Sequence, residues 1–135
     1  MAYDYRDTAE KLPELIGKVL TKAEKNDSDD ELLMVADDGV TFRFYHNQDC
    51  CENVAINDIC GDLADLIGSP ILQAEESISE KRPDDVPAPE YAEYSQTWTF
   101  YKFATIKGSV TVRWFGSSNG SYSESVDLEI TQPES

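Results

Sequence analysis

The sequence predicts an α+β fold: mainly an antiparallel β-sheet of about six to eight strands with hairpins, and one short helix at about 58–67. Three observations carry that expectation. Apolar and polar residues alternate over VTFRFYH, TWTFYKFATI and SVTVRWF, the period of a half-buried strand. Turn-forming pairs, Asp38-Gly39, Lys107-Gly108 and Asn119-Gly120, fall between or after such runs. Helical spacing is clearest at Ile59, Leu63, Leu66 and Ile67, which follow i, i+4, i+7 and i+8.

Taken in order, residues 1–14 are polar and interrupted by Pro13, so they read as an N-terminal arm. Residues 15–131 read as a single β-rich domain, and 132–135 as a tail. A strand is expected from about Lys18 to Ala23. A two-residue turn at Asp38-Gly39 would pair Val35 with Phe42 and Leu33 with Phe44 on one face, leaving Met34 and Arg43 on the other. ENVAIND is a short strand. Asn57 or Asp58 then caps the helix, and Gly68 and Pro70 stop it. Ile71 to Ile78 follows as a strand, and 79–93 is an acidic, proline-containing loop.

The last third is two hairpins. A turn at Lys107-Gly108 sets Tyr101, Phe103 and Thr105 opposite Trp114, Val112 and Val110. Trp98, Phe100, Lys102 and Ala104 share the reverse face with Phe115, Arg113 and Thr111. The Asn119-Gly120 turn would bring Val126 against Trp114 and Leu128 against Val112, provided a β-bulge near Gly116 absorbs one residue.

Charge limits the function. The chain has 27 acidic and 11 basic residues, a formal net charge of −16 in 135 residues. Such a field repels nucleic acid and anionic membranes and attracts cationic partners. Yet no Asp or Glu occurs from Tyr94 to Ser123, a stretch with Lys102, Lys107, Arg113 and eight of the 14 aromatic residues. The first residues lack the pattern of a secretory signal, and no apolar run approaches the ~20 residues of a membrane span. A cytoplasmic location is expected, with no membrane partner and no direct nucleic-acid contact. Three cysteines are then expected as reduced thiols.

The densest polar cluster is His46, Asn47, Gln48, Asp49, Cys50, Cys51 and Glu52. Zinc would need His46, Cys50, Cys51 and Cys60 to converge, but adjacent cysteines in extended chain point apart, so buried thiols are the simpler expectation. A Cys–His nucleophile is disfavoured because Asp49 and Glu52 flank the thiols and oppose a thiolate. Asp58, Asp62 and Asp65 would share a face of the helix, as a solvated side or a hard-cation site. The Asn26–Asp30 run lacks the glycine and terminal glutamate of a calcium loop. Trp98, Phe100 and Phe115 with Lys102 and Arg113 could stack a nucleotide-like ligand, or serve as core. No cofactor and no metal is expected.

Two blocks, FRFYHNQDCCENVAINDICGDLADLIGSPILQAEE (42–76) and TWTFYKFATIKGSVTVRWFGSSNGSYSESVDL (97–128), with their H-x-x-D-C-C-E and W-T-F-Y-K motifs, resemble a group of small, acidic, uncharacterised domains encoded mainly by bacteriophages. The resemblance spans roughly residues 15–130. It implies phage origin and a small accessory protein acting by stoichiometric binding in an infected host. The expectation is a non-enzymatic protein that binds and inhibits a host protein with a basic surface, in defence or nucleic-acid handling. The acidic surface expected to do so is Asp58, Asp62, Asp65, Glu75 and Glu76. A pocket formed by His46, Asp49, Cys50, Cys51, Glu52, Trp98, Lys102 and Arg113 could instead hold a small molecule or nucleotide. A metal-dependent enzyme using His46, Asp49 and Glu52 is the remaining alternative.

Overall fold

The computed structural model describes residues 7–48, 51–79, 95–118 and 123–133. The strands are β1 (Leu20–Lys25), β2 (Glu31–Ala36), β3 (Thr41–Tyr45), β4 (Asn53–Cys60), β5 (Gln73–Ser79), β6 (Ser95–Thr105), β7 (Gly108–Ser118) and β8 (Asp127–Thr131). They form two antiparallel four-stranded sheets, β1-β2-β3-β8 and β4-β7-β6-β5. The expected α+β class with mainly antiparallel β stands. Its α-helix is α1 (Thr8–Lys11).

The sheets pack face to face. Leu32, Met34, Phe42, Phe44 and Leu128 of the first meet Tyr101, Phe103, Val110, Val112 and Trp114 of the second in one buried cluster. Phe44 is 5.1 Å from Tyr101 and 5.7 Å from Phe103, centroid to centroid, within the range of favourable ring pairs. Along one side the sheets are tied by a parallel bridge from Leu20 to Ile67 and by backbone bonds from Gly68 to Leu20 and from Gly17 to Ile71. Residues 7–15 also dock: Leu12 and Leu15 are buried in the core, and Thr8 Oγ1 donates to the Val126 carbonyl at 2.7 Å.

The β2–β3 hairpin departs from the expected register by one residue. Met34 lies opposite Phe42 and Leu32 opposite Phe44. The cause is a three-residue loop: Ala36 N–H donates to Val40 O and Gly39 N–H to Ala36 O, with Gly39 at φ 88°. A type I turn closed by a left-handed glycine gives this geometry. A single slip exchanges faces, so Leu32, Met34 and Ala36 enter the core while Leu33 and Val35 stay half-buried with Arg43.

The β6–β7 hairpin slips by two. Its loop is Ile106-Lys107, so Tyr101 lies opposite Val112 and Phe103 opposite Val110. An even shift preserves the faces, so Tyr101, Phe103 and Trp114 are buried inward as expected. The expected β7–β8 pairing does not form: β7 lies between β4 and β6, and β8 pairs with β3 in the other sheet. The β6–β7 register runs unbroken through Gly116. In the β4–β7 pair the irregularity instead lies between Ile56 and Asp58. Asn119-Gly120 falls outside the described residues, as do most of loop 79–93 and the first and last residues of the chain.

The helix expected at 58–67 is replaced. Its start belongs to β4, and only Leu63–Leu66 turns, as a 3-10 turn capped by Asp62. Ladder hydrogen bonds to β7 supply the backbone of residues 53–60 with partners, and this non-local gain outweighs a weak local helical pattern. The Asn26–Asp30 segment is a β1–β2 connection in which Asn26 Oδ1 accepts the N–H groups of Asp30 and Glu31 at 3.0 and 3.1 Å.

A polar end of the sandwich and an outer sheet face

Inward alternation does not stop where the strands stop. Beyond Phe42 and Phe44 comes His46, before Val54 and Ile56 comes Glu52, and before Leu128 and Val126 comes Glu124. All three side chains are largely buried, with Glu52 at 2 % and Glu124 at 8 % relative exposure. With the buried Ser118 of β7, they form a polar layer at one end of an otherwise apolar interior.

His46 Nε2 lies 2.6 Å from Glu52 Oε2, and Nδ1 lies 2.7 Å from the Ser125 carbonyl oxygen. A carbonyl oxygen only accepts, so Nδ1 carries a proton. The Nε2 contact joins the imidazole directly to the carboxylate. Gln48 Nε2 donates to the Glu52 carbonyl at 2.6 Å and to Glu52 Oε1 at 3.2 Å. The adjoining cleft, of about 330 Å³, is lined by His46, Asn47, Gln48, Glu52, Ser123, Ser125 and Asp127. Both ring nitrogens of His46 are engaged, so the pair acts as a clasp holding the β3–β4 connection to the residues before β8.

Glu124 is held differently. Ser118 Oγ donates to its Oε2 at 2.5 Å, while Oε1 is buried and has no hydrogen-bond partner among the described residues. Gly116 makes room for it: a Cβ there would come within 2.8 Å of both the Glu124 Cβ and its carbonyl oxygen.

Of the other expected pocket residues, Asp49 and Cys50 lie outside the described residues. Cys51 is exposed and disulfide-bonded, and Cys60 is free but also exposed. The expectation of buried, reduced thiols is therefore corrected at Cys51, and for burial at Cys60. Among the described residues, no group of three or more His, Cys, Asp or Glu is placed to hold a metal ion.

Trp98, Lys102 and Arg113 do not line the His46 cleft. They occupy the outer face of the second sheet. Trp98 is buried there against Phe115 at 4.4 Å, with the Arg113 guanidinium 5.6 Å from its ring centroid. Arg113 Nε also donates to Asn57 Oδ1 at 2.8 Å. Phe100 is half-buried and Lys102 exposed.

The carboxylates expected on one helix face, Asp58, Asp62 and Asp65, lie instead on β4, at the cap and within the 3-10 turn, and Glu75 and Glu76 lie on β5. Asp58 is exposed on β4 opposite Arg113. Glu75 is exposed on β5 opposite Lys102. The outer face thus has cations along its middle strands and a carboxylate at each edge. Asp62 is exposed and caps the 3-10 turn through its contact with Ala64 N at 2.9 Å. Asp65 is half-buried beside Gly108. Glu76 turns inward and accepts the Tyr101 hydroxyl at 2.7 Å. Burial first, and the Glu76 charge second, push the Tyr101 phenol above its ordinary range.

Sequence reasoning missed Gln48 as a clasp residue, and Ser118, Glu124, Ser125 and Asp127 altogether. The signal was available in strand parity: extending the inward positions of β3, β4 and β8 one step further lands on His46, Glu52 and Glu124 once Val126 is counted.

No curated protein and no solved structure matches the chain. One family does match, over residues 13–128, a span that contains β1 to β7, the first two residues of β8, the clasp and the outer face of the second sheet. The chain belongs to the family described as Domain of unknown function (DUF7448).

Proposed function

We propose that this protein is a non-enzymatic accessory protein of phage origin, acting in the cytoplasm of an infected bacterium by binding and inhibiting a host protein with a basic surface. The observation in favour is the fate of the cations. Lys18 pairs with Asp38, Lys22 with Glu24, Lys25 with Asp29, and Arg43 with Glu31 and Glu129. Lys11 and Lys107 are spent on the carbonyls of Leu128 and Ile67. A net charge of −16 is therefore expressed mostly by outward carboxylates, including Asp58, Asp62 and Glu75. A field of that kind steers a cationic partner and needs no catalytic group. The clasp supports the same reading, since both nitrogens of its histidine are already occupied.

The test is affinity for a basic host protein recovered at low salt. Binding is expected to fall steeply with added salt and by about tenfold or more in an Asp58→Lys, Asp62→Lys, Glu75→Lys variant. Salt-independent binding, or full affinity in that variant, would refute the reading. A nucleotide-like ligand is the second reading, favoured by Phe100, Lys102 and Arg113 on one sheet face. It predicts a ligand-induced rise in melting temperature that Lys102→Ala abolishes.

A further inference from the structure

We infer that the Glu75–Ile78 edge of β5 accepts an extended basic segment of another protein as a further strand of the second sheet. The inference rests on the acidic-surface reading and names where and how the partner docks.

A comparison of the four sheet edges leads to it. An exposed strand edge is a template for pairing, and folded proteins usually block it with bulges, lysines, prolines or covering elements. At β8, helix α1 packs against the strand, and Thr8 and Lys11 take the carbonyls of Val126 and Leu128 at 2.7 Å each. At β1 the register breaks after Leu20, Leu20 is bridged to Ile67, and Lys22 and Lys25 are exposed along the strand. At β4 the ladder is irregular between Ile56 and Asp58, and the Ile56 N–H is taken by the Asp29 carbonyl at 2.6 Å.

Among the described residues β5 has no bulge, lysine, proline or covering element beyond its beginning, and the only charges it carries are the carboxylates Glu75 and Glu76. The Leu12–Leu15 turn packs against it, and the Gly17–Ile71 bond lies just before it. From Glu75 onward the seven-residue strand has an unbroken register with β6 and contains neither Pro nor Lys. Among the described residues no strand pairs with its outer side. Ile78, 59 % exposed, is among the large apolar side chains left open to solvent.

The charge of this edge selects the occupant. Glu75 is exposed and Glu76 half-buried on adjacent positions. A second copy would bring another chain of net charge −16 to this edge, and an antiparallel register centred on Glu75–Glu76 would set the carboxylates opposite each other, where like charges on facing strands are destabilising. A segment carrying Lys or Arg among apolar residues gains main-chain hydrogen bonds, charge complementarity and a contact for Ile78. That combination is the β-augmentation mode of peptide recognition.

The full chain would be titrated with a short synthetic peptide alternating Lys and Val, and with a Glu–Val peptide as control, while backbone amide exchange is followed residue by residue. Slowed exchange across Glu75–Ile78 with the basic peptide alone is expected. Ile78→Lys and, independently, Glu75→Lys are expected to weaken binding about tenfold; both positions are exposed, and unchanged melting would verify the fold. Basic-peptide binding that leaves β5 exchange untouched would overturn strand addition while sparing the acidic-surface reading. Absence of binding to the basic peptide overturns it too, as does self-association through β5.

Discussion

The middle and one end of the sandwich interior solve the same burial problem with opposite chemistry. In the middle, Phe42, Phe44, Tyr101, Phe103 and Trp114 fill the space between the sheets with apolar area. At the end marked by His46, the same inward positions carry Glu52, Glu124 and Ser118. Apolar filling is non-directional and tolerates substitutions of similar volume. A buried carboxylate is stable only with its own donors in place. The comparison teaches that the core stabilises the fold, while the polar end specifies how the β3–β4 connection and the residues before β8 meet.

Four substitutions sharpen or break that contrast. The largest effect is expected for Trp114→Ala, which empties the centre of the second sheet and should cost about 3–5 kcal/mol in denaturant unfolding. Glu52→Ala follows at about 3 kcal/mol, because it leaves a buried imidazole without its partner. The double change His46→Phe with Glu52→Leu should recover most of that loss, since both polar groups are removed together. A double variant as unstable as Glu52→Ala would mean the clasp contributes net stability, and the contrast between the two regions would collapse.

Gly116→Ala tests the seam between the regions. Its new methyl would meet the Glu124 backbone, and overpacking of this kind costs about 1–3 kcal/mol. Unchanged melting there would mean that Glu124 moves freely.

The smallest effect concerns pH. Tyr101 titrates in the unfolded chain near its ordinary value of 10.0, and burial raises it in the fold. The folded state therefore keeps its proton where the unfolded state has lost it. The stability associated with the neutral phenol is full below about pH 10 and falls as pH rises from there toward the raised value. Tyr101→Phe should flatten this alkaline decline while costing about 1 kcal/mol near neutrality through the lost bond to Glu76. Parallel alkaline profiles for the two proteins would remove Tyr101 as the cause.

Much of the fold was legible in residue order. The strands around Phe42–Phe44, Tyr101–Phe103 and Val112–Trp114 announced themselves by alternation, and the faces of β6 and β7 survived an error in loop placement because the slip was even. The β2–β3 hairpin did not survive its odd slip. Asp38-Gly39 looks like a two-residue turn, yet only the bonds of Ala36 with Gly39 and Val40 reveal the third residue. The candidate site was half visible. His46 and Glu52 stood out as a polar cluster, but their partners Ser125 and Gln48, and the related Glu124, become meaningful only when β3, β4 and β8 are brought to one end of the sandwich.

Composition and alternation by themselves determined an antiparallel β protein with a strong negative field and an aromatic, cation-bearing pair of strands, because side-chain period and charge are local properties. Tertiary structure alone decided that β8 leaves β7 to pair with β3, that 53–60 is a strand rather than the start of a helix, and that Asp58 and Glu75 stand on opposite edges of one sheet face. Each of those outcomes depends on hydrogen bonds between residues far apart in the chain, whose free energy no local window contains.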